Sequence, residues 1–399
     1  MKIICSFFFS FTTCLSLAQS VGPNGSQVGH ELNTITTAVP FLLITPDARA
    51  GALGEAGCAS TPDVYSNYWN ASKNAFIEKR NGISFSYTPW LRALVPDINL
   101  FELSSYIRLG NKNTIGVSGR YFSLGDITYT TISGNPIGQI HPFEYTGSIS
   151  FARKIKNNFS IGFAGKYIHS NLLGNLVVAG LHAGQSVAID LSCYKRDTIN
   201  FIKQNDVFAW GITIANIGQK ISYSDRGEKD FIPQNLKIGI SDKITLDEHN
   251  SLEILLDLNK LLVPTPPVYE TDSVGNPVTA PSGAYVIARG KDPDRGVFNA
   301  LYTSFYDAPG GPEEELHEVM VASGIEYWYD RMVAVRAGYF YEHETKGGRK
   351  YITLGIGGRY RGIKLDVAYL IPVEERHPLQ DTWRASLSWE FNRICKKKD

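Results

Sequence analysis

Along most of the chain apolar and polar residues alternate one by one, in short runs separated by Gly, Asn, Asp and Pro. Near the C-terminal end Trp383, Ala385, Leu387, Trp389 and Phe391 fall on one face, and Arg384, Ser386, Ser388 and Glu390 on the other. Ile363, Leu365, Val367 and Tyr369 likewise oppose Lys364, Asp366 and Ala368, and Phe159, Ile161, Phe163 and Tyr167 oppose Ser160, Gly162, Ala164 and Lys166. A period of two belongs to a β-strand with an apolar medium on one side and a polar one on the other. The pattern predicts about fourteen strands, near residues 83–87, 100–109, 114–123, 143–153, 159–169, 186–194, 207–217, 235–244, 251–261, 319–329, 332–343, 351–360, 363–371 and 382–391.

A soluble sandwich would alternate in the same way, so the connections decide. They tend to run long then short: 88–99 then 110–113, 124–142 then 154–158, 220–234 then 245–250, and 262–318 then 330–331. Short turns on one rim and long loops on the other are the habit of outer-membrane barrels. The expected fold is therefore all-β, a transmembrane antiparallel barrel of about fourteen strands over residues 82–399, with both termini on the periplasmic side. Trp90, Tyr121, Tyr167, Tyr194, Trp328, Tyr329, Tyr341, Tyr351, Tyr360 and Trp389 lie near strand ends and are expected to form two interfacial girdles in contact with outer-membrane lipid.

Residues 47–75 break the pattern. Ala48, Ala50, Gly51, Ala52, Gly54, Ala56, Gly57, Ala59 and Ser60 offer little apolar bulk and let backbone pass close to other backbone. Ahead of a set of amphipathic strands, such a segment reads as a plug lying in the barrel lumen. Thr61 before Pro62, and Asn70 before Ala71, read as caps of two short helical turns. Asp47, Arg49 and Asp63 are the plug charges available to meet charges on the lumen faces, such as Arg120, Lys166, Asp190, Asp257, Arg336, Arg359, Asp366, Arg384 and Glu390. The polar stretch 19–40 reads as a periplasmic lead, so 19–81 is expected to be lead and plug together.

The longest connection, 262–318, changes character midway. Pro264, Pro266, Pro267, Pro277 and Pro281 stiffen its first part; residues 294–307 then read as partly helical, with Val297, Phe298, Leu301 and Phe305 on one side. A loop of this length is normally functional or disordered. Outside a membrane the stripe Phe298, Leu301, Phe305 and Tyr306 either marks a partner site or folds back to cap the barrel mouth.

Composition narrows the classes. Residues 1–18 have a basic start, an apolar run and Ser16-Leu17-Ala18 before Gln19, the form of a cleaved secretory signal peptide. Removing Lys2 with the leader leaves one more acidic than basic residue, a balance with no nucleic-acid footprint. Cys58, Cys193 and Cys395 then remain, an odd number that implies no disulfide framework. A hydrophobic share of 43% fits a soluble globule and a transmembrane barrel alike. The chain carries no G-x-S-x-G, H-E-x-x-H or C-x-x-C motif, and its histidines lack metal-ligand spacing, so no catalysis, cofactor or metal is expected.

Two blocks resemble a known family. Asp47-Ala48-Arg49-Ala50, Gly54, Ala56-Gly57, Pro62-Asp63 and Tyr68-Trp69-Asn70 resemble the N-terminal signature of the PorV (LptO) family, outer-membrane components of the type IX secretion system related to FadL-type barrels. Where that signature continues Pro-Ala after Asn, this chain has Ala71-Ser72. The passage Ser304-Phe305-Tyr306-Asp307-Ala308-Pro309-Gly310-Gly311, followed by Glu313-Glu314-Glu315-Leu316, is similar to the same family. The resemblance implies a FadL-like barrel without enzymatic activity. It further implies binding to the large type IX translocon barrel and to secreted proteins with a C-terminal signal domain, and their transfer to the surface-attachment complex. Import of hydrophobic small molecules, as by FadL-type transporters, is the alternative, and would need an apolar pocket beside the plug. An indirect part in lipopolysaccharide deacylation is a second.

Overall fold

A computed structural model describes residues 32–200, 202, 206–225, 227, 229–272, 276–374 and 377–392. The leader 1–18 and Cys395 lie outside the described residues. Contacts divide the chain after Leu32, and the barrel with its contents is the unit that begins at Asn33.

Fourteen strands close into one barrel. They are β1 (Asn81–Pro89), β2 (Asn99–Leu109), β3 (Asn113–Ser123), β4 (Phe143–Lys156), β5 (Phe159–Asn171), β6 (Gly184–Ile199) and β7 (Asp206–Gly218). Then come β8 (Asn235–Thr245), β9 (Ser251–Leu261), β10 (Met320–Tyr329), β11 (Val333–Tyr341), β12 (Lys350–Tyr360), β13 (Ile363–Pro372) and β14 (Trp383–Phe391). Each strand pairs antiparallel with its neighbours in sequence, and the barrel closes where β1 meets β14, from Asn81↔Phe391 to Tyr87↔Ala385. The fourteen alternating runs are these fourteen strands. The long connections add two ribbons that the alternation did not reveal, Ile127–Thr130 with Pro136–Ile140 and Val268–Tyr269 with Ile287–Arg289.

Alternation maps directly onto the two faces. On β1 and β2 Ile83, Phe85, Leu103 and Ile107 are exposed, while Ser84, Ser86, Glu102 and Ser104 are buried in the lumen. Exposed apolar rows of this kind are the lipid face of a barrel. Among the described residues no helix is long and apolar enough to cross a membrane, which leaves crossing by strands untouched.

Aromatic rings gather on the outer face near both rims: Tyr87 lies 5.2 Å from Phe101 and 5.4 Å from Trp383, and Tyr121 lies 5.9 Å from Phe143. At the other rim Phe159 meets Trp210 at 6.3 Å and Trp389 meets Phe391 at 4.4 Å. Of the residues expected in the girdles, Tyr121, Tyr167, Tyr329, Tyr360 and Trp389 are exposed, but Tyr194, Trp328 and Tyr351 are buried. Those three are lumen residues; proximity to a strand end does not tell which face a ring occupies.

The lead is also placed differently from the sequence expectation. Ala38 N–H donates to Phe231 O, Phe41 stacks on Phe122 at 6.0 Å, and Asn33 donates from its backbone to Thr345 O and from its side chain to Pro266 O and Glu314. Phe231, Pro266, Glu314 and Thr345 belong to long connections and Phe122 to the strand end beside another, so residues 33–44 sit at the long-loop rim and not with the short turns. The chain passes down through the lumen before Asn81 starts β1 at the short-turn rim. A cysteine replacing the exposed Thr36 should therefore react with a membrane-impermeant maleimide on intact cells, as should one replacing Val177 in a long loop. One replacing Lys112, in a short turn, should not. Protection of Thr36→Cys alongside reaction of Val177→Cys would put the segment at the other rim.

Candidate functional site

The plug's anchor grows out of one cap. Asp47 N-caps the short helix Ala48–Gly51, its Oδ2 accepting from Ala50 N–H at 2.8 Å and its Oδ1 from Trp69 Nε1 at 2.7 Å. The turn it starts aims Arg49 across the lumen at three carboxylates: Asp63 (2.6 Å), Glu326 of β10 (2.8 Å) and Glu253 of β9 (3.2 Å). Burial opposes ionisation of Asp63, yet the positive charges of Arg49, Lys364 and Lys73 outweigh it and hold its carboxyl below the usual range. Glu326 also meets Arg336 at 2.6 Å, which reaches Asp366 at 2.8 Å, so the network runs from the plug into β13.

Further contacts fix the plug along its length. Asp257 Oδ2 accepts from the N–H groups of Gly57 and Cys58 at 2.7 Å each. The Glu253 carboxylate accepts from Thr61 N–H and from its hydroxyl. Arg384 of β14 donates to Thr45 O and pairs with Glu55 at 3.0 Å. Asn70 N-caps residues 71–76, and its Nδ2 donates to Cys58 O and Cys193 O. Lys73 Nζ donates to Gly57 O at 2.7 Å and Ser60 Oγ at 2.8 Å, and Lys237 of β8 stands 4.3 Å above the Trp69 ring. Gly54 has φ +64°, a left-handed backbone, and a Cβ there would lie 2.5 Å from Tyr339 O. Gly51 faces the Arg384 side chain, and a Cβ on Gly57 would enter the Trp69 ring.

The structure places Asp47, Arg49, Gly51, Gly54, Gly57, Asp63, Trp69 and Asn70 buried in the plug, but some of the contacts expected of this segment differ. Thr61 does not cap a helix: it binds Glu253, and the helix is Ser66–Trp69, which begins five residues on with Tyr65 at its N-cap. Asp47 pairs within the plug and not with a lumen cation. Glu253 and Glu326, the main partners of Arg49, were missed, though each sits at a period-two lumen position where a lone carboxylate is conspicuous.

Cys58 is wholly buried, and burial pushes its thiol up to about 12. In a Cys193→Ser, Cys395→Ser background the folded protein should therefore take up no bulky maleimide until it is heat-denatured, as followed by mass shift. Labelling at the native rate of a free thiol would mean the plug leaves the lumen.

The second cluster is the long loop. Lys260 at the end of β9 pairs with Glu318 at 2.5 Å and Glu315 at 2.9 Å, while Lys346 of the next loop pairs with Glu314 at 2.6 Å and Glu318 at 3.0 Å. Glu315 accepts the N–H groups of Asp307 and Ala308; Asp307, fully buried, faces Arg295 at 3.3 Å. Gly310 N–H donates to Glu314, and Gly311, with φ +73°, turns the chain into the helix Pro312–His317. The helix Val297–Thr303 buries Ala300 against Phe231 and Val263, and Leu301 is half-buried. Phe298, Tyr302, Phe305 and Tyr306 are exposed. The exposed stripe thus contains Tyr302, which the sequence reading omitted, while Asp307, Gly310 and Gly311 shape the loop.

No cluster of residues able to hold a metal occurs among the described residues. A solved deletion mutant of the TodX monoaromatic hydrocarbon channel resembles the chain with TM-score 0.51 and 10% identity, over 87% of this chain and 99% of that one. The Pseudomonas putida toluene transporter TodX (TM-score 0.48, 12% identity, 90% and 98% covered) and the Ralstonia pickettii toluene transporter TbuX (0.46, 12%, 88% and 98%) are also similar. Likeness at such identity concerns the fold alone. No curated protein matches the chain. The family model described as type IX secretion system protein PorV matches residues 27–268, more than half of the sequence, and the chain, a closed barrel around a plug, belongs to the PorV family.

Proposed function

We propose that this outer-membrane barrel binds and passes on secreted proteins, and does not conduct solutes. In this reading it engages the large type IX translocon barrel, collects proteins carrying the system's C-terminal signal domain and hands them to the surface-attachment complex. The observation that carries the reading is the folded long loop, which is clamped by Lys260 and Lys346 yet turns Phe298, Tyr302, Phe305 and Tyr306 to solvent. Exposed aromatics on a rigid support form a low-entropy docking surface, and aromatic side chains concentrate interface energy. A conducting role would need the plug to move, against the buried pairing of Arg49 with three carboxylates. The space enclosed within the plug at Asp47, Arg49 and Trp69 is about 10 Å³, too small for a hydrophobic solute, and the larger cavity on the short-turn side of the plug is lined by charged side chains such as Lys243, Arg359, Arg361 and Lys364.

A Tyr302→Ala, Phe305→Ala variant tests this. Both rings are exposed, so folding stability should change by no more than ~0.5 kcal/mol per substitution. The barrel should reach the outer membrane at normal levels while signal-bearing proteins accumulate in the periplasm. Intact secretion combined with lost heat stability would make the stripe a cap; intact secretion with intact stability would remove the loop from the mechanism.

A further inference from the structure

We infer that the short-turn mouth of the barrel is an anion-binding vestibule, built to take carboxylate or phosphate groups that approach from the periplasmic side. A cavity of about 650 Å³ lies between the underside of the plug, at Thr61–Asp63 and Phe76–Ile77, and the strand ends that lead into the short turns. That is within the usual size of a ligand site.

The charges around it do not balance. Arg49 and Arg336 are spent on Asp63, Glu253, Glu326 and Asp366, and Lys364 pairs with Glu390 at 3.4 Å. Lys79, Arg196, Lys243, Arg359 and Arg361 also line the cavity, with Glu78 as the one further carboxylate, so that eight cations face six carboxylates in all. Among the described residues none of these five cations forms an ion pair. Two are held in place by rings instead: Arg359 lies 4.4 Å above Trp328, and Arg196 lies 4.6 Å above Phe76. A ring face fixes a guanidinium without using its N–H donors. The forks therefore stay free for carboxylate or phosphate, which they match two bonds at a time. Like charges inside a low-dielectric cleft also focus the field and raise the local anion concentration. Because the plug closes the lumen above, such a ligand is held and does not pass through.

The test uses the full-length protein in detergent, with hexaglutamate and sodium tripolyphosphate as probes. Binding is read by tryptophan fluorescence, since Trp328 lies under Arg359, and by calorimetry at two salt concentrations. Saturable, salt-sensitive binding of at least one probe is expected. Arg359→Gln with Arg361→Gln, and independently Arg196→Gln with Lys243→Gln, should each weaken it about tenfold or more, the loss of one charged hydrogen bond. Lys350→Gln, at the opposite rim, should leave it unchanged. The heat-modifiable band on unboiled gels reports folding in every case. Hexaglutamate binding that tripolyphosphate does not displace assigns a carboxylate-rich peptide; the converse assigns phosphates; mutual displacement assigns the shared chemistry. Absence of saturable binding by both probes overturns the proposal, as does unchanged affinity in both folded double variants.

Discussion

Arg49→Ala should yield a barrel that no longer holds its plug. The substitution leaves Asp63, Glu253 and Glu326 facing one another in a buried site, with Arg336, Lys364 and Lys73 nearby to compensate in part. Removing one partner of a buried ionic cluster typically costs ~3–5 kcal/mol, because the charges left behind stay desolvated. The expected readouts are loss of the folded band on unboiled gels and, where some barrel survives, entry of large antibiotics that the outer membrane otherwise excludes. Arg49→Lys keeps a charge but cannot offer a planar fork to several acceptors, so it should fall between the two. Wild-type stability in Arg49→Ala would mean the cluster contributes nothing to seating the plug.

Gly338→Val should be nearly as damaging, for a steric reason. A Cβ at Gly338, in the middle of β11, would lie 2.0 Å from Gly54 N and 2.2 Å from Leu53 C. Backbone faces backbone there, so no flexible side chain can swing aside. Overpacking costs ~1–3 kcal/mol even where neighbours can give, and here the plug must lift off the wall. Gly358→Val on β12, where nothing lies within 4 Å of a Cβ, is the matched control and should fold normally. Equal thermal stability of the two variants, measured from the temperature at which the folded band disappears, would rule out close seating of the plug against β11.

What the sequence disclosed followed from what is periodic. A strand between lipid and a polar lumen must alternate, so all fourteen strands were legible, the last as clearly as Trp383 to Phe391. The plug was legible from its lack of bulk, which the lumen demands: Gly116, Gly162, Gly211, Gly239, Gly324, Gly338 and Gly355 on the wall meet plug atoms where a side chain would stand. What could not be read was partner choice. Glu253 and Glu326 lie about two hundred or more residues from Arg49 in sequence, and nothing local distinguishes them from other lumen carboxylates. Thr61 before Pro62 has the form of a cap, but a buried carboxylate competes successfully for its donors. Tyr302 escaped notice because the expected helix was counted from its apolar residues, and tyrosine belongs to either face.

With residues 33–44 at one rim and Asn81 at the other, the polypeptide runs through its own barrel as a cord runs through a bead. A finished barrel could receive that cord only by having its free end drawn the full length of the lumen. The alternative order has the sheet curl around a segment already laid against it, and the contacts favour it: Ser386 of the last strand accepts from Ala48 N–H at 2.8 Å and shares a hydrogen bond with Ser86 of the first, while Arg384 grips Thr45 and Glu55. The seam between first and last strands is therefore also a clasp on the cord. Closing the sheet and holding the cord are thus tasks of the same residues, so neither the seam nor the threaded segment is complete in its contacts without the other.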